Sequence, residues 1–226
     1  MIKYGDRISL CMISLNEEGA ITKLLNELKN LDQRIQVVLV DSSDDQTAEI
    51  AKSFGAKVIK QYPPMGYGLA MDKALRSCDK EVIITMDCDC TYPINKIDEV
   101  SRAIIEQNFD IVDCNRLKNK PENMPMINYL GNKAFAFIAS LLFFKYLPDL
   151  HSGMRGYRKK TLIDEINYDP NGPSLPVDLL ILFVKKEFKL KIIDIKYYER
   201  IGNSKMLPFE TSLWTIKRII KSRFSS

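Results

Sequence analysis

Three apolar runs that stop abruptly at acidic or amide side chains constrain this fold more than any other feature. Ile8-Ser9-Leu10-Cys11-Met12-Ile13 is followed by Asn16-Glu17-Glu18, and Ile35 to Val40 stops at Asp41-Ser42-Ser43-Asp44-Asp45. Val82-Ile83-Ile84-Thr85-Met86 ends in Asp87-Cys88-Asp89, with Pro93 close behind. Such runs read as strands buried on both faces, the pattern of a parallel sheet. Between them lie helical segments: Ile21, Leu24, Leu25 and Leu28 at helical spacing, Thr47 to Phe54, and Leu69 to Arg76. Lys57 to Lys60 adds a short strand, Ile94 to Gln107 a helix, and Asp110 to Cys114 a further strand. This alternation with short connections predicts an α/β fold, a mostly parallel central sheet with helices on both faces. Ligands of open α/β sheets bind beyond the carboxyl ends of the strands, the edge to which Asp87 and Asp89 belong.

Beyond residue 116 the rhythm changes. Lys118 to Met126 is a polar, proline-bearing loop, and Leu130 to Tyr146 a long apolar helix. Leu147 to Arg158 reads as a loop and strand carrying Asp149, His151, Gly153, Arg155 and Arg158. A helix from Leu179 to Glu187, a strand from Lys191 to Tyr198 and a loop from Arg200 to Pro208 follow. The chain closes with a basic amphipathic helix, Leu213 to Phe224. We expect one domain over residues 1–226: a nucleotide-binding half at 1–116, an acceptor-binding half at 117–210 and the basic helix at 211–226.

Charge is uneven. The chain is net +4, yet from Leu180 onward 11 Lys and Arg stand against 4 Asp and Glu. A basic end suggests a phosphate-bearing or anionic-membrane partner, or else a solvated lysine-rich surface. The N-terminus lacks a signal-peptide pattern, and the apolar run Ala134 to Phe144 is too short to span a bilayer. Five cysteines, an odd number, fit a reduced compartment better than a disulfide framework. A cytoplasmic protein, soluble or peripheral to the membrane, is expected.

Asp87 and Asp89 carry the sharpest chemistry. Two carboxylates at a strand end suit Mg²⁺ or Mn²⁺, which take hard oxygen ligands and share them with substrate phosphates. The plainer alternative is a pair of turn-forming, helix-capping aspartates. Cys88, Cys90 and the single histidine, His151, do not make a four-ligand zinc site. Asp41 is placed to accept a hydrogen bond from a nucleobase, although capping alone also explains its cluster. Gly66-Tyr67-Gly68 lets backbone amides approach a phosphate. It lacks the third glycine of a dinucleotide fingerprint and does not follow the first strand, and no Walker lysine pattern is present.

Taken in order, these segments resemble the family 2 glycosyltransferases of the GT-A fold. The resemblance runs through Ile13-Ser14-Leu15-Asn16-Glu17-Glu18, Val40-Asp41-Ser42-Ser43-Asp44-Asp45-Gln46-Thr47, Gly66-Tyr67-Gly68-Leu69-Ala70 and Met86-Asp87-Cys88-Asp89-Cys90-Thr91-Tyr92-Pro93. The second half is similar to the polyprenyl-phosphate glycosyltransferases, of which dolichol-phosphate mannosyltransferase is a type. There it rests on Asn115-Arg116, on Asp149-Leu150-His151-Ser152-Gly153-Met154-Arg155-Gly156-Tyr157-Arg158 and on Arg200-Ile201-Gly202-Asn203-Ser204-Lys205.

The resemblance implies an inverting transfer from a GDP- or UDP-sugar, with Mn²⁺ or Mg²⁺ held by Asp87 and Asp89. It places Asn16, Glu18, Asp41, Gly66 and Asp87 at the nucleotide, and Arg116, Arg155, Arg200, Ser204 and Lys205 at the acceptor phosphate. Asp89 and Arg116 are expected to be catalytic. A phosphate acceptor is already anionic near neutral pH and needs no base. A sugar hydroxyl, the alternative acceptor, would need one, and Asp149 is the candidate. A sugar nucleotidyltransferase and a degenerate nucleotide-sugar-binding scaffold are the further alternatives. Nucleic acid is not an expected partner. A membrane surface is, through Ala134 to Phe144 and the basic C-terminal helix, and an integral-membrane partner is compatible with both.

Overall fold

The computed structural model describes residues 2–172, 174–202 and 208–224, with side chains of the last segment described from Trp214 on. Seven strands form one sheet in the order β3-β2-β1-β4-β6-β5-β7. They are β1 (Ile8–Ser14), β2 (Gln36–Asp41), β3 (Lys57–Lys60), β4 (Val82–Thr85), β5 (Ile111–Asn115), β6 (Arg155–Arg158) and β7 (Leu190–Asp194). All neighbouring pairs are parallel except the two made by β6, which runs antiparallel between β4 and β5.

The described residues form seven α-helices: α1 (Glu18–Leu31), α2 (Thr47–Ser53), α3 (Tyr67–Arg76), α4 (Ile97–Ile105), α5 (Met126–Phe143), α6 (Leu175–Lys185) and α7 (Pro208–Phe224), the last packed on α5 and α6. Side chains alternate along each strand, so β1 sends Leu10 and Met12 to one face and Cys11 to the other. The first face packs on Ile21, Leu24 and Leu28 of α1 and on Val100 and Ile104 of α4. The second packs on Met71 and Leu75 of α3 and on Leu179, Leu180 and Phe183 of α6. Strands buried on both sides explain the continuous apolar runs in the sequence. Gly156 on β6 lets α4 come close: a Cβ there would lie 2.3 Å from Val100 Cγ1.

The topology gathers one functional edge. The carboxyl ends of β1, β2, β4, β5 and β7 lead there to Ser14, Asp41, Asp87, Arg116 and Ile195. Because β6 is antiparallel, the segment before it, Asp149 to Met154, arrives at the same edge. The long apolar helix departs from expectation in two ways. It starts earlier, at Met126, and ends at Phe144 in a left-handed conformation with φ 50°. Within it only Ala136 and Ala139 are buried, so it is not a core helix.

Candidate active site

On the donor side, pairing register assembles a carboxylate floor. Ser14, Asp41 and Lys60 occupy matched positions on β1, β2 and β3. Asp41 is buried, and its Oδ1 accepts from Ser14 Oγ at 2.7 Å and Ser43 Oγ at 2.5 Å. Its Oδ2 accepts from Lys60 Nζ at 2.7 Å. Burial alone would raise this carboxyl, but Lys60 and the two serines hold it below the usual range.

The segment after β1 is laced to the segment after β2. Asn16, at φ 55°, donates its backbone N–H to Ser43 Oγ, and its Oδ1 accepts from the Asp44 N–H. Glu18 accepts from the Gln46 N–H at 3.2 Å. Neither Asn16 nor Glu18 lines the neighbouring cavity; Glu17 does, along with Ser14, Ser42, Gly66, Tyr67, Asp87, Asp89 and Arg200. That cavity measures about 290 Å³. The acid one residue before the expected one therefore lines the site, while the Glu18 carboxylate is turned to the Gln46 N–H. Gly66, with φ 101°, caps α3 in a conformation open to glycine and borders the cavity.

Asp87 and Asp89 both line this cavity, in keeping with their place after β4. Thr91 orients Asp89: its N–H and Oγ donate to Oδ1 at 3.1 and 2.6 Å. The other oxygen is 2.6 Å from Arg200 Nη2, an ion pair without hydrogen-bond alignment. Asp87 stands against Gly153, where a Cβ would come within 2.9 Å of its Oδ2. Glycine at 153 thus makes room for the carboxylate, a contact that the sequence pattern gives no means of locating. Burial first, then the neighbouring charge of Asp89, pushes the Asp87 carboxyl up to about 7. Two hard carboxylates forced together at an open cavity fit Mg²⁺ or Mn²⁺, with remaining positions for phosphate or water. Among the described residues no cluster of three or more His, Cys, Asp or Glu side chains gathers for a metal.

On the acceptor side the groups are paired more tightly. Arg116 Nε and Nη2 donate to the two oxygens of Asp149 at 2.7 and 2.9 Å, and its backbone N–H adds a bond at 3.2 Å. The guanidinium lies over the Tyr197 ring, 5.3 Å from its centroid. Asp149 also accepts from the His151 N–H. Burial opposes its charge, yet Arg116 holds this carboxyl below the usual range. A base needs a free lone pair at a reactive proton; Asp149 is fully buried and its oxygens are engaged by Arg116. We therefore correct its expected role from general base to the residue that positions Arg116.

Arg155 needs the same correction. It is fully buried, its Nε donates to Asp113 Oδ1 at 2.6 Å, and its terminal nitrogens go to the carbonyls of Pro176, Asp149 and Leu150. Thr85 and Asp113 both sit opposite it in register. A guanidinium so spent has nothing left for an acceptor phosphate. His151 is also internal. Burial pushes its imidazole down to about 4, and Nε2 lies 3.0 Å from Thr215 Oγ1.

Arg116 opens on a second cavity of about 620 Å³, lined by Lys118 to Asn123 and by Asp194 to Glu199. Tyr197 to Arg200 form the partition between the two cavities. Hydrogen bonds tie this partition to the Asp89 turn: Tyr198 N–H to Thr91 O at 2.9 Å, and Ile201 N–H to Asp89 O at 3.0 Å. Asp87, Asp89 and Arg200 are thus brought together, and Arg116 stands across the partition. Ser204 and Lys205 lie outside the described residues.

Residues 9–165 match the family described as glycosyl transferase family 2. Among curated proteins, the chain is 37% identical over 217 residues to a dolichyl-phosphate hexose transferase of Haloferax volcanii, covering 96% of this chain and 93% of that one. It is 29% identical over 177 residues to a UDP-N-acetylglucosamine–dolichyl-phosphate N-acetylglucosaminyltransferase of Methanococcus voltae, covering 69% and 70%. Among solved structures, mannosyl-3-phosphoglycerate synthase from Rubrobacter xylanophilus superposes with a TM-score of 0.76 at 19% identity, covering 96% of this chain and 73% of that one. Glucosyl-3-phosphoglycerate synthase from Mycobacterium tuberculosis, solved with Mn²⁺, UDP and phosphoglyceric acid, gives 0.75 at 18%, covering 99% and 81%. The sheet is that of the GT-A fold. The chain belongs to glycosyl transferase family 2 and is a glycosyltransferase.

Proposed function

We propose that this glycosyltransferase moves a sugar, with inversion at the anomeric carbon, from a GDP- or UDP-sugar to a polyprenyl phosphate. The transfer would take place at the cytoplasmic face of a membrane. The observation that carries the choice of acceptor is the spent carboxylate of Asp149, locked onto Arg116. A hydroxyl acceptor loses the base expected to serve it. A phosphate monoester needs only positioning and charge screening, since its second pKa is about 6. The two relatives named for dolichyl phosphate support the same reading.

In this reading the donor occupies the cavity bordered by Glu17, Ser42, Gly66 and Tyr67. Asp41, fixed by Ser14 and Lys60, supports the base-binding edge from beneath. Asp87 and Asp89 would hold Mn²⁺ or Mg²⁺, which when bound neutralises charge on the departing diphosphate. The chain's own cations do the rest. The resemblance puts Arg200 at the acceptor phosphate; because it lines the donor cavity beside Asp89, we assign it to the diphosphate instead. Across the partition, Asp149 fixes Arg116 so that Nη1, outside the pair, is left for the acceptor phosphate. Lys118, Lys120 and Lys196 line that second cavity together with Glu122, Asp194 and Glu199, and Lys118 pairs with Asp194 at 2.8 Å, which leaves Lys120 and Lys196 as the lysines to draw in an anion. Ser204 and Lys205 are assigned to the acceptor phosphate on the sequence resemblance alone. Asn16 and Glu18 serve the nucleotide indirectly, by holding the two loops that flank it.

The test pairs a thermal-shift panel of nucleoside diphosphates, with and without Mn²⁺, with transfer of labelled sugar to a short-chain polyprenyl phosphate. We expect one of GDP or UDP to stabilise the protein only in the presence of the metal, and label to enter the prenyl product. Label on a free sugar hydroxyl but not on the prenyl phosphate would move the protein to the alternative acceptor class.

A further inference from the structure

Of the two glycines in Gly66-Tyr67-Gly68, only Gly66 borders the donor cavity, beside Tyr67. Gly68 is taken up elsewhere. A Cβ there would overlap the backbone carbonyl of Pro170 and come within 2.7 Å of the Gly172 carbonyl oxygen. The loop segment 170–172 therefore rests directly on the backbone of the first turn of α3, an approach that glycine allows. The same loop is fastened further along α3. Tyr168 donates to Asp72 Oδ1 at 2.7 Å, and the Arg76 guanidinium lies over the Tyr168 ring.

The other side of this segment is backed by α7. A Cβ on Gly172 would lie 2.7 Å from Trp214 Cζ2, so the indole sits directly on that residue. Trp214 is the chain's only tryptophan. It is partly buried against the core that α3 and α6 share, and it does not line the donor cavity. The helix that carries it is well seated: Ile219 is fully buried in the same core, and Arg218 pairs with the buried Asp178 in the first turn of α6. Indole, loop segment and α3 backbone thus make an uninterrupted stack from α7 to the cavity wall at Gly66 and Tyr67. In close-packed protein, a change of volume at one end of such a stack displaces the other.

The next residue on the helix serves the other half of the site. Thr215 is buried, and its Oγ1 lies 3.0 Å from His151 Nε2. The His151 N–H in turn donates to Asp149 Oδ1 at 3.1 Å. Two neighbours on α7 therefore reach two different places: Trp214 the donor wall, and Thr215 the segment that fixes Arg116.

We propose that Trp214 is a positioning residue for the nucleotide-sugar donor: acting through Gly172 and Gly68, it sets the wall of the donor cavity formed by Gly66 and Tyr67. The nature of the ligand rests on the transferase reading above. The test follows binding of GDP and of UDP, each with Mg²⁺, to the full chain by calorimetry and by indole emission, and then measures donor and acceptor KM in the transfer assay. Trp214 lies outside the cavity and is the only indole, so an emission change that saturates with nucleotide, and is absent with Mg²⁺ alone, reports the stack. Trp214→Ala is expected to weaken nucleotide binding and raise the donor KM roughly tenfold with kcat held within about threefold, because a wall moves and no reacting group is touched. Gly172→Ala keeps the indole but pushes it off the loop, and is expected to act in the same direction. Trp214→Phe should restore most of the affinity. Thr215→Val is the control on the same helix: it should raise the acceptor KM and leave the donor KM unchanged. Melting temperatures establish that each variant is folded, and if Trp214→Ala is not, Gly172→Ala decides. Wild-type nucleotide affinity in the folded variants overturns the proposal. So does an equal rise in donor KM on Thr215→Val, which would reduce α7 to general support. Nucleotide binding that responds as expected, in a wild type that transfers no sugar to a prenyl phosphate, would leave the positioning role standing and remove the acceptor reading instead.

Discussion

The molecule carries two carboxylate–arginine arrangements at one sheet edge, and they are built for different ends. On the acceptor side, Asp149 with Arg116 and Asp113 with Arg155 are buried pairs with aligned hydrogen bonds. On the donor side, Asp89 meets Arg200 in an ion pair without alignment, next to a second carboxylate that burial and repulsion keep reluctant to ionise. Taking one partner from a buried, bonded pair leaves an uncompensated charge in the interior. Taking one from the cavity relieves repulsion and exposes the remainder to water. In the proposed reading the buried pairs therefore hold the fold around the site, and Asp87 and Asp89 serve the chemistry.

The sharpest way to break this comparison is Asp89→Ala. Transfer should fall by at least about a hundredfold, as for loss of a group that stabilises charge in the transition state. The melting temperature should fall less than for a broken buried pair: two donors of buried Thr91 lose their acceptor, while Asp87 loses a repelling neighbour and Arg200, partly exposed, turns to solvent. Steady-state transfer and differential scanning calorimetry on the same preparation decide it. Activity within tenfold of wild type would take the metal-binding role away from this residue.

That site was readable in the sequence for a plain reason. Strands buried on both faces write themselves as apolar runs, and the residues that end them fall at the functional edge. The rule puts Asp41, Asp87, Asp89 and Arg116 at that edge. What did not follow was register. Only the insertion of β6 between β4 and β5 sets Arg155 opposite Asp113, and no local pattern records which strands become neighbours. For the same reason Asp149 looked like an available acid. The partner that uses it up is 33 residues away in the chain. Helical spacing at Ile21, Leu24 and Leu28 does not say where α1 starts, and it is Glu17, just before that start, that lines the cavity. The apolar composition of α5 is compatible with a core helix, and only its packing, with Ala136 and Ala139 alone buried, shows that it is not one.

Asp149→Asn tests the other half of the comparison, with a smaller expected effect on chemistry and a larger one on stability. The amide keeps the shape but strands the Arg116 guanidinium, and a buried pair broken in this way costs about 3–5 kcal/mol. Urea unfolding should show the loss as a lower midpoint at an unchanged slope. Turnover should drop because Arg116 is no longer held, with no change in the pH dependence of kcat. A general base would give the reverse result: near-normal stability, with the limb of the pH–rate profile that reports the base removed.

The mildest expected effect concerns proton binding, and here the two regions should respond in opposite directions. Asp149 is held below the usual carboxylate range. Its contribution to stability is present above the unfolded value near 3.8 and fades as pH falls through its lower folded value. Asp87 is raised from 3.8 to about 7. Between those values the folded protein retains a proton that the unfolded chain has released, so its contribution is full below about pH 3.8 and declines as pH rises through 7. Asp87→Asn mimics the protonated form and removes this dependence. Relative to wild type, the variant should therefore gain stability steadily from pH 4 to 7, measured as the difference between two urea-midpoint series. Saturating Mn²⁺ with a nucleoside diphosphate should shrink that gap from the wild-type side, because a cation takes the place of the proton on the same carboxylate. A gap that stays flat across this range would mean that Asp87 ionises as freely as a surface acid, and the asymmetry between the two regions would then rest on Arg200 alone.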